Sequence, residues 1–372
     1  MSDSLDVVLL AKRRRTKIVC AIMYWQMMVS VIIALNVVER PFIPDIRLDL
    51  HQLPDLAVNM FRFDVYEILH MCNAIALPLV LWTKNRVRVL GYEALCVLLH
   101  HLAFPVRGST AISVFGRSRS ALSQITHMML HWLDDTWGHL LLLDPDHWRH
   151  RMAGWANACR GKLGQGLRNV VAFIDCKLVG TCKPTPARRK FPAGSYNALQ
   201  QSIYSGHKRK HGLKFESVTG MNGILWGLSG PWEGRHHDSW ILRQSGTLAT
   251  LLKLIDGMGQ VFCVYGDSGY PLSLHLQVPW PLVVPGSPHA RFNRIMSRLR
   301  ITVEWGFGII SNLWSGTDFK RWMRCFLTLP GLKYRVAGLL TNFHCCIRGG
   351  NQISKYFDVA LPSLEDYLTQ TY

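Results

Sequence analysis

The sequence predicts an α/β domain with a mixed sheet, preceded by a helical region. Two short apolar runs, residues 170–175 and 261–267, each end in an acid and are typical of buried strands. A hairpin and a helix are predicted between them, and another helix follows. The order strand, hairpin, helix, strand, helix favours a sheet that combines antiparallel and parallel strands.

The hairpin and the two helices follow from local patterns. Residues 213–219 and 224–228 flank a GMNG turn, in which the glycines suit a tight reversal. Apolar residues recur at helical spacing over residues 239–255 and again over residues 291–313. The second helix contains a single acid, Glu304. Both strands end in an acid, and ligands of open α/β sheets gather at strand ends.

The region from residue 61 to about residue 155 is predicted to be helical. Residues 94–102 and 110–115 form the first two helices of a group of three, and Ser118 caps the third after a turn at residues 116–117. This order suits a helix-turn-helix, whose third helix enters the major groove, and it equally suits a small helical bundle without DNA contact. Three residues at the start of the third helix would reach bases or phosphates: Arg117, Arg119 and Gln124.

The charge balance points to a polyanionic partner. Lys and Arg number 42 against 24 Asp and Glu, which leaves a formal net charge of +18. Nucleic acid is the first candidate, although a basic protein without a nucleic-acid role has the same composition. The ten cysteines include no CxxC pair, so a zinc ribbon has little support and reduced thiols in a nucleus or cytosol are expected.

The N-terminal segment is ambiguous. Residues 18–38 carry no formal charge and follow a basic run at residues 12–15. That length could span a bilayer, but Gln26, Ser30 and Asn36 interrupt it, and a buried helix explains the run equally well. We do not expect a membrane protein. The basic run would serve as a nuclear-import signal or as an arm that contacts phosphates.

Three carboxylates that converge on one point repel each other unless a cation neutralises them or some are protonated. Mg²⁺ prefers carboxylate oxygens, and two such ions about 4 Å apart can activate a water or a 3′-hydroxyl. Asp175, Asp267 and Glu304 would then support phosphodiester chemistry. Acids at strand ends also form caps and turns, and residues 266–269 (GDSG) fit a simple turn.

Several unusual motifs occur in a characteristic order around these acids. They are residues 204–209 (YSGHKR), 234–239 (GRHHDS), 266–271 (GDSGYP), 292–293 (FN), Arg300, 303–304 (VE), 307–308 (FG) and 342–343 (NF). With these motifs, residues 175–343 resemble the PIF/Harbinger-type transposases and the nuclease-like proteins derived from them. The helical region from residue 61 to about residue 134 matches more loosely.

The resemblance implies a ribonuclease-H-like fold that cleaves and joins DNA phosphodiester bonds at transposon ends. Its Asp-Asp-Glu triad falls on Asp175, Asp267 and Glu304, with two divalent ions, Mg²⁺ or Mn²⁺. Asp238, in the GRHHDS motif, is a fourth candidate ligand, or else a cap for a helix that starts near Ser239. The chain departs from the family pattern at residues 176–177 (CK), where small residues are usual, and at residues 309–311 (IIS), where a basic residue is common. Neither departure removes a metal ligand.

The same resemblance suggests further DNA contacts and partners. Arg300 lies four residues before Glu304, so it would orient this carboxylate or bind DNA. Four basic residues at the hairpin would contact phosphates: Lys208, Arg209, Lys210 and Lys214. The family also implies a Myb-like partner protein, and the need to join two DNA ends predicts a homo-oligomer in the nucleus.

The predicted domains are an N-terminal arm and linker (residues 1–60), a helix-turn-helix-like domain (61–160), a nuclease domain (165–350) and a C-terminal tail (351–372). Residues 40–57 are expected to be the linker. Three functions are compared: an active transposase, a domesticated relative that binds DNA without cutting it, and a membrane protein built on residues 18–38. The intact acids favour the first.

Overall fold

A computed structural model of the protein describes residues 2–35, 48–106, 108–163, 169–184, 195–255, 261–325 and 327–370. The chain divides into two compact units, residues 1–45 and residues 46–372. The first unit contains one long helix, α1 (Ser2–Leu35). Most of its large apolar side chains between residues 18 and 32 are exposed, Trp25 by 68%, and residues 36–38 of the uncharged run lie outside the described residues. Within the described chain, no helix is both long and apolar enough to cross a membrane.

The second unit begins with a helical region. Its helices are α2 (Pro54–Phe61), α3 (Val65–Ala74), α4 (Gly91–Ala103), α5 (Gly108–Phe115), α6 (Arg119–Trp137), α7 (Pro145–Trp148) and α8 (Met152–Leu163). Because Pro54 occupies the first turn of α2, residues 54–57 are helical rather than part of a linker. A small antiparallel sheet of β1 (Val80–Trp82) and β2 (Arg88–Leu90) lies between α3 and α4. The prediction that this region is all-α is therefore wrong.

The three predicted helices around residue 116 are confirmed as α4, α5 and α6. The Ser118 hydroxyl accepts a hydrogen bond from the Ala121 N–H, as expected for the cap of α6. Gly116 precedes it at φ +58°, a conformation that favours glycine. Leu122, Ile125 and Met129 bury one face of α6 in the core. The use of these helices for DNA binding stays a prediction.

The sheet of the second unit has six strands and is mixed, as predicted. The strands are β3 (Val170–Gly180), β4 (Tyr204–Ser205), β5 (Lys210–Gly220), β6 (Leu225–Glu233), β7 (Cys263–Tyr265) and β8 (Leu276–Gln277). Their main order is β4-β5-β3-β7-β8, and β6 pairs with β5. The pairs β3/β5 and β5/β6 are antiparallel, which confirms the predicted hairpin, whereas β3/β7 and β7/β8 are parallel.

The core surrounds β3, whose first five residues are fully buried on both faces. Helix α9 (Ser195–Ser202) precedes β4. The helix predicted over residues 239–255 is instead two helices, α10 (Asp238–Ser245) and α11 (Thr247–Ile255). Gly246 separates them, because its left-handed backbone (φ +72°) ends the first helix.

Four more helices complete the fold: α12 (Pro288–Leu313), α13 (Pro330–Ile347), α14 (Gln352–Phe357) and α15 (Leu364–Thr369). Five short 3₁₀ helices connect elements at Leu50–Gln52, Gly138–Leu141, Arg149–Arg151, Ser315–Thr317 and Lys320–Trp322. The last two α-helices occupy the predicted tail, where Leu364 and Tyr367 are buried. The helical region is tied to the rest by Arg335, whose Nε lies 3.0 Å from Asp134 Oδ1. The functional domain boundaries stay predictions.

Candidate active site

Asp175 lies in the middle of β3, opposite Ser217 of β5. The prediction that this strand ends at Asp175 is wrong, because β3 continues to Gly180. The Asp175 carboxylate is half-buried and accepts a hydrogen bond from the Cys176 N–H at 2.8 Å. Burial raises its pKa from 3.8 to about 6; the Cys176 N–H opposes this rise, and Asp267, Asp238 and Glu304 add to it.

Asp267 lies beside Asp175 because β3 and β7 are parallel neighbours. Phe173 pairs with Tyr265, and two further residues along each chain lead to Asp175 and Asp267. The two segments remain in contact beyond this pair, since a Cβ atom placed on Gly266 would lie 3.0 Å from Ile174 Cγ2. Neighbouring strands lie about 4.8 Å apart, so Asp267, which follows β7, lies beside Asp175 of β3. The Asp267 carboxylate also accepts the Gly269 N–H at 2.9 Å, so the predicted turn and the predicted site coexist.

Asp238 extends this acidic group from the first turn of α10. A side-chain carbon at Gly269 would lie 3.1 Å from Asp267 Oδ1 and 3.5 Å from Asp238 Oδ2, so both carboxylates flank this glycine. The other oxygen, Asp238 Oδ1, lies 2.7 Å from Lys214 Nζ. His237 is the N-cap of α10, which makes the alternative prediction of Asp238 as a cap wrong.

Glu304 approaches the same group from α12. This helix begins with a Ser287 cap and Pro288, three residues before the predicted start. A side-chain carbon at Gly306 would lie 3.1 Å from Thr219 Oγ1, which packs this part of α12 against the sheet. Glu304 itself is exposed, and its charge contributes to the raised pKa of Asp175.

The chemistry of the four acids fits a hard divalent cation, because all are carboxylates and their charges raise the pKa of Asp175. The described residues nevertheless include no group of three Asp, Glu, His or Cys side chains close enough to hold an ion. The shifted pKa and the lack of a ligand cluster are compatible because the two effects act over different distances. Electrostatic coupling between carboxylates extends over several ångströms, whereas Mg²⁺ ligation requires an oxygen at about 2.1 Å. The acids are therefore neighbours without a closed coordination shell.

Lys177, which the sequence presented only as a departure from the family, connects the strand of Asp175 to the helix of Glu304. Its Nζ donates a hydrogen bond to Ser311 Oγ on α12 and lies 3.8 Å from Asp318 Oδ2. Because side chains alternate along a strand, Lys177 and Asp175 share one face of β3. Burial lowers the pKa of Lys177, while Asp318 and Asp175 favour its charged form. Strand alternation could have revealed this position.

Glu216 is a second residue that the sequence interpretation missed. It is 1% exposed, and its Oε1 accepts hydrogen bonds from Thr247 Oγ1 at 2.6 Å and Ser245 Oγ at 2.8 Å. Burial raises its pKa, the two hydroxyls oppose the rise, and Asp238 adds to it. An acid inside the apolar strand of a hairpin was the available signal.

The predicted DNA contacts fall into two groups. Arg119, Lys208 and Arg209 are exposed, and Gln124 and Lys210 are partly exposed. Arg117 is 6% exposed and pairs with the fully buried Glu93, with Nη2 2.8 Å from Oε2. Lys214 donates both to Asp238 and to the His236 carbonyl at 2.7 Å. These internal partners occupy the charges of Arg117 and Lys214, so neither residue presents a free cation to DNA. The Arg300 side chain lies outside the described residues.

The mixed sheet brings Asp175 and Asp267 side by side at parallel neighbouring strands, with Asp238 and Glu304 near enough to contribute to the raised pKa of Asp175. Residues 174–322 match the family model described as DDE superfamily endonuclease. The match covers less than half of the chain and includes Asp175, Asp238, Asp267 and Glu304. The chain thus contains a domain similar to DDE superfamily endonucleases. No curated protein and no solved structure matches the chain.

Proposed function

We propose that the chain is a divalent-metal-dependent transposase or endonuclease of the PIF/Harbinger type, which cleaves and joins DNA at transposon ends. The observation that carries this proposal is the match of residues 174–322 to the DDE superfamily endonuclease model, a range that includes all four acids. The pKa of Asp175, raised first by burial and then by the other three acids, supports it. Such shifts cluster at functional sites. The sheet, with Asp175 on its central strand and Asp267 after the parallel neighbour, supports a ribonuclease-H-like fold.

Asp175, Asp267 and Glu304 would hold the metal, with Asp238 as a fourth candidate. Mg²⁺ or Mn²⁺ bound there would neutralise their repulsion and lower the pKa of a bound water or 3′-hydroxyl. The chain contributes orientation: Lys214 fixes one oxygen of Asp238 and leaves the other toward Asp267. The contact of Lys177 with Ser311 holds α12, and with it Glu304, against β3.

DNA would lie along exposed basic residues of the same domain. Lys208 and Arg209, in the turn between β4 and β5, are candidate phosphate contacts, with Lys210 beside them. Arg119 and Gln124 on α6 would act through a helix-turn-helix. Arg300 stays a candidate on the face of α12 that carries Glu304. Arg117 and Lys214 are left out because their charges are paired internally.

Partners follow from the same proposal. Strand transfer at two DNA ends requires two active sites, which supports a homo-oligomer. The resemblance adds a Myb-like partner protein for DNA recognition or nuclear entry, and it places the protein in the nucleus. The net charge of +18 supports a polyanionic partner of this kind.

Cleavage of labelled DNA by the purified chain tests the proposal. Asp267→Asn and Glu304→Gln retain side-chain shape but remove the charge, and both should abolish cutting that depends on Mg²⁺ or Mn²⁺. Asp358→Asn is the matched control, because Asp358 is exposed and its left-handed backbone (φ 55°) suits Asn. Cutting that survives in both site variants would refute the assignment of the acids.

A second candidate function is DNA binding without cleavage, as in a domesticated relative. The specific observation in its favour is that no three potential ligands converge among the described residues. This reading predicts that DNA binds with the same affinity to the chain and to Asp267→Asn, with no cutting in either metal even when a partner protein is supplied.

A further inference from the structure

An aromatic cluster lies directly beside the proposed active site. It consists of Trp232 at the end of β6, His236 in the following loop and Trp240 on α10, and we call it the Trp–His–Trp cluster. The rings of His236 and Trp240 are stacked, with centroids 3.6 Å apart and planes 7° apart. Trp232 meets Trp240 edge to face at 6.0 Å. All three side chains are partly exposed, so the cluster presents aromatic surface to solvent.

One ammonium group connects this cluster to the acids. Lys214 Nζ donates to the His236 carbonyl at 2.7 Å and to Asp238 Oδ1 at 2.7 Å. The other Asp238 oxygen faces Gly269 and Asp267. In β-sheet register, Lys214 also pairs with Trp232, so its strand borders the cluster on a second side. His236 and Trp240 each lie two residues along the chain from Asp238, so the stacked pair is held close to the acidic group.

The backbone around the cluster is tightly fitted. A side-chain carbon at Gly234 would lie 2.4 Å from the Gly212 carbonyl oxygen and 2.6 Å from that of Ile203. Only glycine permits this approach, which fixes the loop against Gly212 of β5 and against Ile203, the residue before β4. The Arg235 side chain, 55% exposed, pairs with Glu233 at 2.8 Å. The exposed Lys208 and Arg209 lie at the tip of the β4–β5 hairpin.

We propose that the Trp–His–Trp cluster binds an unpaired DNA base by stacking, next to the phosphate on which the acids act. This inference rests on the proposed function. Every base has a π-face, so aromatic side chains bind unpaired nucleotides with little sequence preference. The exposed cations Lys208 and Arg209, at the tip of the β4–β5 hairpin, suit the phosphates of the same DNA strand. A duplex hides its bases, so the site selects DNA that is melted or distorted at the cleavage position.

The test compares two duplexes that differ at one position, where 2-aminopurine is either paired or unpaired. The full chain is titrated onto each in EDTA, so that binding is measured without cutting. We expect the unpaired duplex to bind at least about fivefold more tightly and its 2-aminopurine fluorescence to be quenched by stacking. Trp240→Leu should remove this preference, whereas Trp240→Phe, which keeps a ring, should retain most of it.

Tyr66→Leu is the matched control, because Tyr66 is an aromatic residue on a helix surface elsewhere and is 82% exposed. It should leave the preference unchanged. Equal binding of the two duplexes by the unaltered chain would overturn the inference whatever the variants do, and so would a Trp240→Leu protein that keeps the preference. Failure to bind either duplex would refute the proposed function as well. Cleavage without any preference for the unpaired base would refute the stacking site alone.

Discussion

Asp175→Asn should stabilise the metal-free protein while it abolishes cleavage. Burial and three neighbouring carboxylates raise the pKa of Asp175 from 3.8 to about 6. The charged form is therefore less favourable in the folded chain than in the unfolded chain. Asn has nearly the same shape and can still accept the Cys176 N–H, but it carries no charge. The substitution removes a cost that the site imposes on folding.

The magnitude follows from linkage. A folded-state pKa above the unfolded value means that stability is greatest below about pH 4 and is lost as the pH rises through about 6. At ~1.4 kcal/mol per pKa unit, the full loss is about 3 kcal/mol near neutral pH and about half of that near pH 5. The advantage of Asp175→Asn should therefore shrink by roughly half between about pH 7.5 and about pH 5.

Urea unfolding in EDTA at both pH values measures this difference, with Asp358→Asn as the control for an exposed acid. Added Mn²⁺ should stabilise the unaltered chain more than Asp175→Asn, because a ligand stabilises only the state that binds it. An advantage that does not depend on pH would show that the carboxylate charge is not its source. A loss of stability in Asp175→Asn at about pH 7.5 would refute the account of the site as mutually repelling acids.

Three further predictions concern individual cations of the chain. Lys177→Met should lower the cleavage rate at least about tenfold with little change in DNA affinity, because it releases α12 from β3. A parallel loss of cleavage rate and DNA affinity would count against a positioning role for Lys177. Arg117→Ala should reduce the free energy of unfolding by about 3–5 kcal/mol, because it leaves Glu93 buried and unpaired. A variant that keeps its stability but binds DNA more weakly would instead support Arg117 as a DNA contact. Lys208→Ala should reduce the dependence of log affinity on log salt by about one, whereas Lys214→Ala should leave that slope unchanged, as binding measured over a salt series would show.

The sequence was informative where local patterns decide structure. The apolar runs before Asp175 and Asp267 predicted β3 and β7, and the Ser118 cap predicted the start of α6, because strand burial and helix capping depend on nearby residues. The continuation of β3 to Gly180 was not predictable in this way. It depends on pairing with β5, which residue 175 and its neighbours do not encode. Gly246 could have indicated the break between α10 and α11.

The pairing of charges escaped the sequence for a different reason. Lys214 was assigned to DNA from its place in the basic segment at the hairpin, and Arg117 from its place at the start of the third helix. Each instead meets a carboxylate more than twenty residues away, Asp238 and Glu93, through contacts that only the fold creates. Net charge describes the whole chain, so it indicates only the class of partner. It cannot identify which individual cations remain free to bind, because that depends on which of them the fold buries or pairs.

The motifs that carry the family resemblance also serve two different purposes. The GDSGYP and GRHHDS motifs place Asp267 and Asp238 around Gly269 at the site. Asn342, from the NF motif, is fully buried on α13, where its side chain bonds both the N–H and the carbonyl of Leu225 at the start of β6. Such an amide replaces a missing strand partner and has no route to a substrate. A domesticated relative would therefore keep Asn342 for folding after the acids had lost their use, so the intact acids, rather than the number of matching motifs, argue for retained catalysis.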